Sequence, residues 1–154
     1  MSAKQFEFAK SLQFLGSIVL RIPAKPIDRV TKDSKIIAEE MLYLMTALHA
    51  AGLAANQVGL LSRIIVVNLN SPIVMINPEL TFQSEATDIK EEGCLSLPSF
   101  WANVKRPQII KVKYLDETGK DYHLKAEGLA ARIIQHEIDH LNGILIIDKQ
   151  ERYV

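Results

Sequence analysis

The segment that most constrains this chain is His136-Glu137-Ile138-Asp139-His140. On an α-helix, residues four apart lie ~40° apart in azimuth and ~6 Å apart along the axis, so the two imidazoles can grip one ion. Glu137 sits beside them, placed to exchange protons with water at that ion without being a ligand itself. Residues 128–141 carry the required helical pattern, with Leu129, Ile133, His136 and His140 on one side and Gly143 where a C-terminal cap belongs. Such a helix should be largely buried, and the remaining elements must close around it. Two hydrogen-bonded core histidines would show the same spacing, so a third ligand is needed to separate the two readings.

Cys94 is the candidate third ligand. It is the only cysteine, which excludes an internal disulfide and fits a reducing compartment or a metal-bound thiolate. Its thiolate suits a borderline-soft divalent ion, and the other two histidines lack helical register with the pair. A lone cysteine is more commonly a buried hydrophobe, so its setting matters. In Glu92-Gly93-Cys94-Leu95-Ser96, Gly93 permits close backbone approach, and Leu95 supplies an N–H that could face a developing oxyanion. Residues 52–57 (Gly52-Leu53-Ala54-Ala55-Asn56-Gln57) combine small residues with the Gln57 amide, a second possible oxyanion donor. Taken alone, that stretch reads more simply as a helix cap followed by a loop.

The 154 residues, 48% of them hydrophobic, suffice for one core, and residues 1–154 are read as one catalytic domain. A helix is predicted over residues 33–51, with Asp33 as N-cap and Gly52 as its stop. Strands are predicted over 63–69 and 72–77, the second closed by Pro78, and a β-hairpin over 109–115 and 121–125 around Asp116-Glu117-Thr118-Gly119. Residues 144–147 read as a last short strand. The expected class is α+β, with antiparallel or mixed sheets around a buried HExxH helix. Eighteen basic residues balance eighteen acidic ones, so no overall field favours nucleic acid or an anionic membrane. No stretch reaches the ~20 apolar residues of a membrane span. Lys4 and Lys10 precede a mildly apolar stretch, but Gln13 and Ser17 interrupt it, and no signal peptide is expected.

Taken together and in order, the three segments resemble the peptide deformylase family, whose signatures are a GxGLAAxQ loop, an EGCLS segment and a QHExDH helix. The second and third are intact at residues 92–96 and 135–140. The first is met at residues 50–57 except that Ala50 replaces its first Gly. Similarity extends over most of residues 16–148. The resemblance implies that Cys94, His136 and His140 bind one divalent ion, Fe(II) physiologically, with Zn(II) or Ni(II) plausible in isolated protein. It further implies that Glu137 is general base and acid, and that Gln57 and the Leu95 N–H hold the oxyanion. Gly52, Glu92, Gly93, Leu129 and Ile133 would border the substrate. The implied reaction removes the N-formyl group from initiator N-formylmethionine of nascent polypeptides and releases formate. It also implies the cytoplasm of a bacterial or phage-infected cell, or an organelle.

Three departures qualify this. A methyl at position 50 would cost roughly 1 kcal/mol if the loop kept a glycine-only backbone there. Lys90 and Arg132 put charge where the family lines its methionine pocket with apolar residues; both are expected to snorkel to the rim, the alternative being a preference for a shorter or more polar first residue. Fourteen residues follow His140, whereas many relatives continue into a further helix that some of them use for ribosome contact, so ribosome binding is not carried over to this chain and transient proximity is the expectation. A catalytically silent, peptide-binding relative and an HExxH metallopeptidase are the competing functions.

Overall fold

The computed structural model describes residues 12–151, so the leader reading at Lys4 and Lys10 lies outside the described residues. Helix α1 (Lys32–Ala47) starts one residue before Asp33, because Thr31 is its N-cap. The Thr31 hydroxyl accepts from Ser34 N, and Ser34 Oγ accepts from Thr31 N, a reciprocal box that satisfies two backbone donors. The helix also stops earlier than predicted. His49 adopts φ 52°, its N–H donates to Thr46 O at 3.1 Å, and Ala50 N donates to Met45 O at 2.9 Å, which is a Schellman closure. Gly52 instead opens a strand.

Seven strands follow: β1 (Gly52–Ala54), β2 (Ile64–Asn68), β3 (Pro72–Gln83), β4 (Thr87–Cys94), β5 (Leu97–Pro107), β6 (Ile109–Leu115) and β7 (Asp121–Glu127). They form a five-stranded sheet, β1-β2-β3-β6-β7, and a separate two-stranded sheet, β4-β5, with every ladder antiparallel. Helix α2 (Gly128–Leu141) leaves β7 directly.

Strand β2 explains the layering. Ile65 and Val67 pack toward α2 with Ile134, Ile138 and Leu141, while Ile64 and Val66 pack toward Met41, Leu44 and Met45 of α1. Because both faces are covered, the strand reads as a continuous apolar run rather than an alternation. Each such buried aliphatic side chain contributes about 1.5–3 kcal/mol, so α2 is anchored by several residues on the face opposite the cleft described below.

Pro78 does not close β3. The strand continues to Gln83 through an irregularity between Ile76 and Glu79, where Asn77 takes φ 52° and its side chain clamps Ile27 at 2.8 and 2.7 Å. A bulge is where a strand tolerates a residue without N–H. Residues 144–147 do not form a strand; a 3-10 helix, Ile146–Lys149, stands there, and its Ile146 packs with Leu145 against Leu20, Leu97 and Val104. The β4-β5 hairpin, which is absent from the sequence-based expectation, carries Cys94 at the end of β4.

Candidate active site

Cys94 ends β4 at a tight turn, where its register with β5 shifts from Gly93↔Trp101 to Cys94↔Leu97. His136 and His140 stand on α2, whose opposite face is fixed in the core. The ligand atoms of the three residues all lie within 4.8 Å of one another, and Cys94 Sγ is 3.2 Å from His140 Nε2. This is the one His/Cys/Asp/Glu cluster of that kind found among the described residues.

The surroundings fit a cation. The two rings are 5.0 Å apart between centroids, too close for both to be charged at low cost. Burial works to keep His136 neutral, but its hydrogen bonds to Cys94 and Glu92 outweigh this and hold it up at about 10. His140, buried and facing His136, is held well below the usual histidine range. A thiol and two imidazoles whose donor atoms converge this closely are a donor set that suits a borderline-soft divalent ion, which would bind them as thiolate and neutral imidazoles. His136 Nδ1 is 2.9 Å from Glu92 Oε2, a carboxylate partner that leaves Nε2 to face the cluster. His140 is 1% exposed, and its backbone carbonyl accepts from Asn56 Nδ2.

Glu137 is enclosed, and burial pushes its carboxyl up to about 7, although the charges of His136 and Arg106 work to lower it. Its Oε2 has no hydrogen-bond partner among the described residues. An unpaired buried carboxylate oxygen is costly unless something else satisfies it, such as water or substrate. Gly52 is what lets β1 approach it: a Cβ there would come within 2.5 Å of Glu137 Oε1. Gln57, on the 3-10 helix Ala55–Val58, accepts from Ala54 N at 2.9 Å through Oε1. Its Nε2 is thereby aimed at Ser96 Oγ, 3.2 Å, and Cys94 Sγ, 3.7 Å.

All of the expected site residues except His140 border one cleft of ≈ 510 Å³. Glu137, Gln57 and Leu95 lie along it with Cys94 and His136, and so do Gly52, Glu92, Gly93, Leu129 and Ile133. Leu129 is at the mouth, 68% exposed. Glu92 touches the cleft, yet both of its oxygens are engaged: Arg106 binds them at 2.6 and 2.8 Å, Arg132 at 2.6 Å and His136 at 2.9 Å. These contacts, with the Arg106 bonds first, overcome the cost of its burial and hold the carboxyl far below the usual range. Its geometry is that of a carboxylate orienting His136.

Two charged residues come out differently from each other. Lys90 reaches outward, pairing with Asp88 at 3.1 Å. Arg132 does not snorkel: it is 5% exposed, and its guanidinium turns inward to Glu92, Asp88 and the Val104 carbonyl. Ala50 is not among the positive-φ residues; His49 takes that conformation, so the extra methyl carries no backbone penalty. Sequence reasoning missed Arg106, Asp139 and Ser96. Arg106, 1% exposed, links Glu92 to Asp139 at 2.8 Å, and Ser96 meets Gln57. Trp101 is 62% exposed and lines the cleft over Gly93.

Known proteins carry the same arrangement of sequence and fold. The profile of the polypeptide deformylase family matches residues 10–153. A peptide deformylase of Synechococcus sp. (strain RCC307) is 49% identical over 141 residues, 88% of this chain and 70% of that protein. The crystal structure of peptide deformylase from Thermotoga maritima superposes with a TM-score of 0.89 at 41% identity, covering 92% of this chain and 97% of that one. A peptide deformylase from Synechococcus elongatus, in complex with actinonin, gives 0.88 at 43% identity, covering 92% and 78%. By profile, sequence identity and fold, this chain belongs to the polypeptide deformylase family.

Proposed function

We propose that this chain, working as a single catalytic domain over residues 1–154, hydrolyses the N-formyl group of N-formylmethionyl nascent peptides and releases formate. The observation that carries the reading is the convergence of Cys94, His136 and His140 beside Glu137 and Gln57 on one cleft. A divalent ion held by those three side chains would supply Lewis acidity, polarising the formyl carbonyl and acidifying water beside it. Glu137 takes the proton of the attacking water and delivers it to the amide nitrogen as the C–N bond breaks, which leaves formate and a free amine. Its raised pKa suits a group that must both accept and donate. Gln57 Nε2 and the Leu95 N–H donate to the formyl oxygen as it gains charge.

Both β1 and β4 have an unpaired edge in the ladder order, and both border the cleft. An extended peptide can lie between them, its first side chain directed toward Leu129, Ile133 and the aliphatic stem of Arg132. With the guanidinium turned away, that wall is apolar, which favours methionine over a polar first residue. Fe(II) is the physiological ion in this reading, with Zn(II) or Ni(II) in aerobically isolated protein. The site of action is the cytoplasm of a bacterial or phage-infected cell, or an organelle, in transient proximity to the ribosome. Among the described residues no helix is long and apolar enough to cross a membrane. A catalytically silent relative finds no support in Ala50, which is not among the positive-φ residues.

The test is formate release from formyl-Met peptides by anaerobically purified, ion-loaded protein. Glu137→Ala should lower kcat by about 10²–10⁴. No formate from the loaded wild type would remove the reading.

A further inference from the structure

The three candidate ligands stand on two pieces of structure that share no backbone ladder. Cys94 belongs to the isolated β4-β5 sheet, and the two histidines belong to α2. Ligand atoms must hold their distances to within about 0.2 Å for an ion to be kept, so the hairpin has to be fastened to the helix at this point.

Arg132 is one turn before His136 and reaches both strands of the hairpin. Its NH1 donates to Val104 O in β5 at 2.9 Å and to Glu92 Oε1 in β4 at 2.6 Å. Its NH2 donates to Asp88 O at 3.1 Å and Asp88 Oδ1 at 2.5 Å, both in β4. A planar fork can serve acceptors in fixed directions in this way, whereas an ammonium is a single point of charge on a flexible stem. Glu92, held from one side by Arg132 and from the other by Arg106, presents Oε2 to His136 Nδ1.

We propose that Arg132 is a positioning residue that docks the thiolate-bearing hairpin on the imidazole-bearing helix. It sets the sulfur-to-imidazole separation and, through Glu92, the orientation of the His136 ring, and so governs how tightly the ion is retained. The inference rests on the metal-centre reading above, and it concerns ion retention rather than formyl hydrolysis.

The test uses cobalt(II)-loaded protein, with chelator competition for affinity and absorption spectroscopy for the sulfur-to-cobalt charge-transfer band. Arg132→Met, which keeps an apolar stem and removes the fork, should bind cobalt about 10- to 100-fold more weakly, as loss of an outer-shell partner does elsewhere. Its charge-transfer band should weaken or shift while far-UV circular dichroism still shows folded protein. Arg132→Lys should fall between Met and wild type, and it carries the same decision if the Met variant does not fold. Lys90→Ala, which removes the exposed cation from the same Asp88, should leave affinity and spectrum unchanged. Wild-type affinity and an unmoved band in both Arg132 variants would overturn the proposal, whatever happens to Tm, and leave the deformylase reading standing. A wild-type protein that binds no cobalt would take both down.

Discussion

Single atoms decide several features of this site. Gly52 is required because Glu137 occupies the space a side chain would take, with Oε1, Cγ and Cδ all within 2.8 Å of where a Cβ would be. Glu137 is buried and cannot swing away freely, so Gly52→Ala should displace the carboxylate from its working position. The expected outcome is a fall in kcat of about 10²-fold or more, with the ion content unchanged, because proton transfer and not ligation is disturbed. Formate release and metal analysis on the same preparation check it. Three residues before Gly52, His49 holds a left-handed φ that costs a non-glycine residue about 1–2 kcal/mol. His49→Gly should raise unfolding free energy by about 1 kcal/mol, a Tm gain of about 2–4 °C by calorimetry. At this scale the sequence is informative where a residue's chemistry singles it out, as for Cys94 and Glu137, which both border the cleft. It was uninformative for Glu92 and Arg106, because their meeting depends on a hairpin register that residue types do not encode.

Elements were legible in proportion to how one-sided their environment is. The helix Gly128–Leu141 matches its predicted limits, since one face is apolar, the other carries the histidines, and Gly143 takes φ 74° just beyond its C-terminus. The hairpin of β6 and β7 was visible through alternation and an Asp-containing turn. The hairpin of β4 and β5 is not: most of β4 is exposed or half-buried, so no period-2 pattern arises, and Leu97 at the start of β5 is followed by Pro98 and by Ser99 at φ 62°. At the β6-β7 turn, Asp116 Oδ1 accepts from Thr118 N at 2.8 Å, Thr118 Oγ1 at 2.6 Å and Lys120 N at 3.0 Å. These bonds, the Thr118 hydroxyl first, hold its carboxyl below the usual range. A depressed folded pKa gives stability that is present above the unfolded value near 4 and lost as pH falls through the folded one. Asp116→Asn should therefore cost about 0.5 kcal/mol at pH 7 and nothing at a pH below the folded pKa. Urea titrations at both pH values test this, and an equal cost at both would refute the ionic account.

For the molecule as a whole, the candidate centre lies where three parts of the chain converge. The 3-10 helix after β1 supplies Gln57 and Asn56, the separate hairpin supplies Cys94 and Glu92, and α2 supplies the histidines and Glu137. The hairpin's other side packs against Leu145 and Ile146, so its position is shared between an apolar cluster and the polar network around Glu92. An ion joining Cys94 to both histidines adds a cross-link that the unfolded chain cannot reproduce with the same geometry. A ligand present at about 100 times its Kd stabilises the native state by ~2.7 kcal/mol, and in a chain of this length each kcal/mol moves Tm by about 2–4 °C. Removing the ion with a chelator should therefore lower Tm by about 5–10 °C, with full recovery on adding it back. The same treatment of Cys94→Ala should change Tm little, because the cross-link is already cut at the sulfur. A scan in which chelation leaves the wild type unmoved would mean that the ion does not couple hairpin to helix. The imidazole pair alone would then have to hold it.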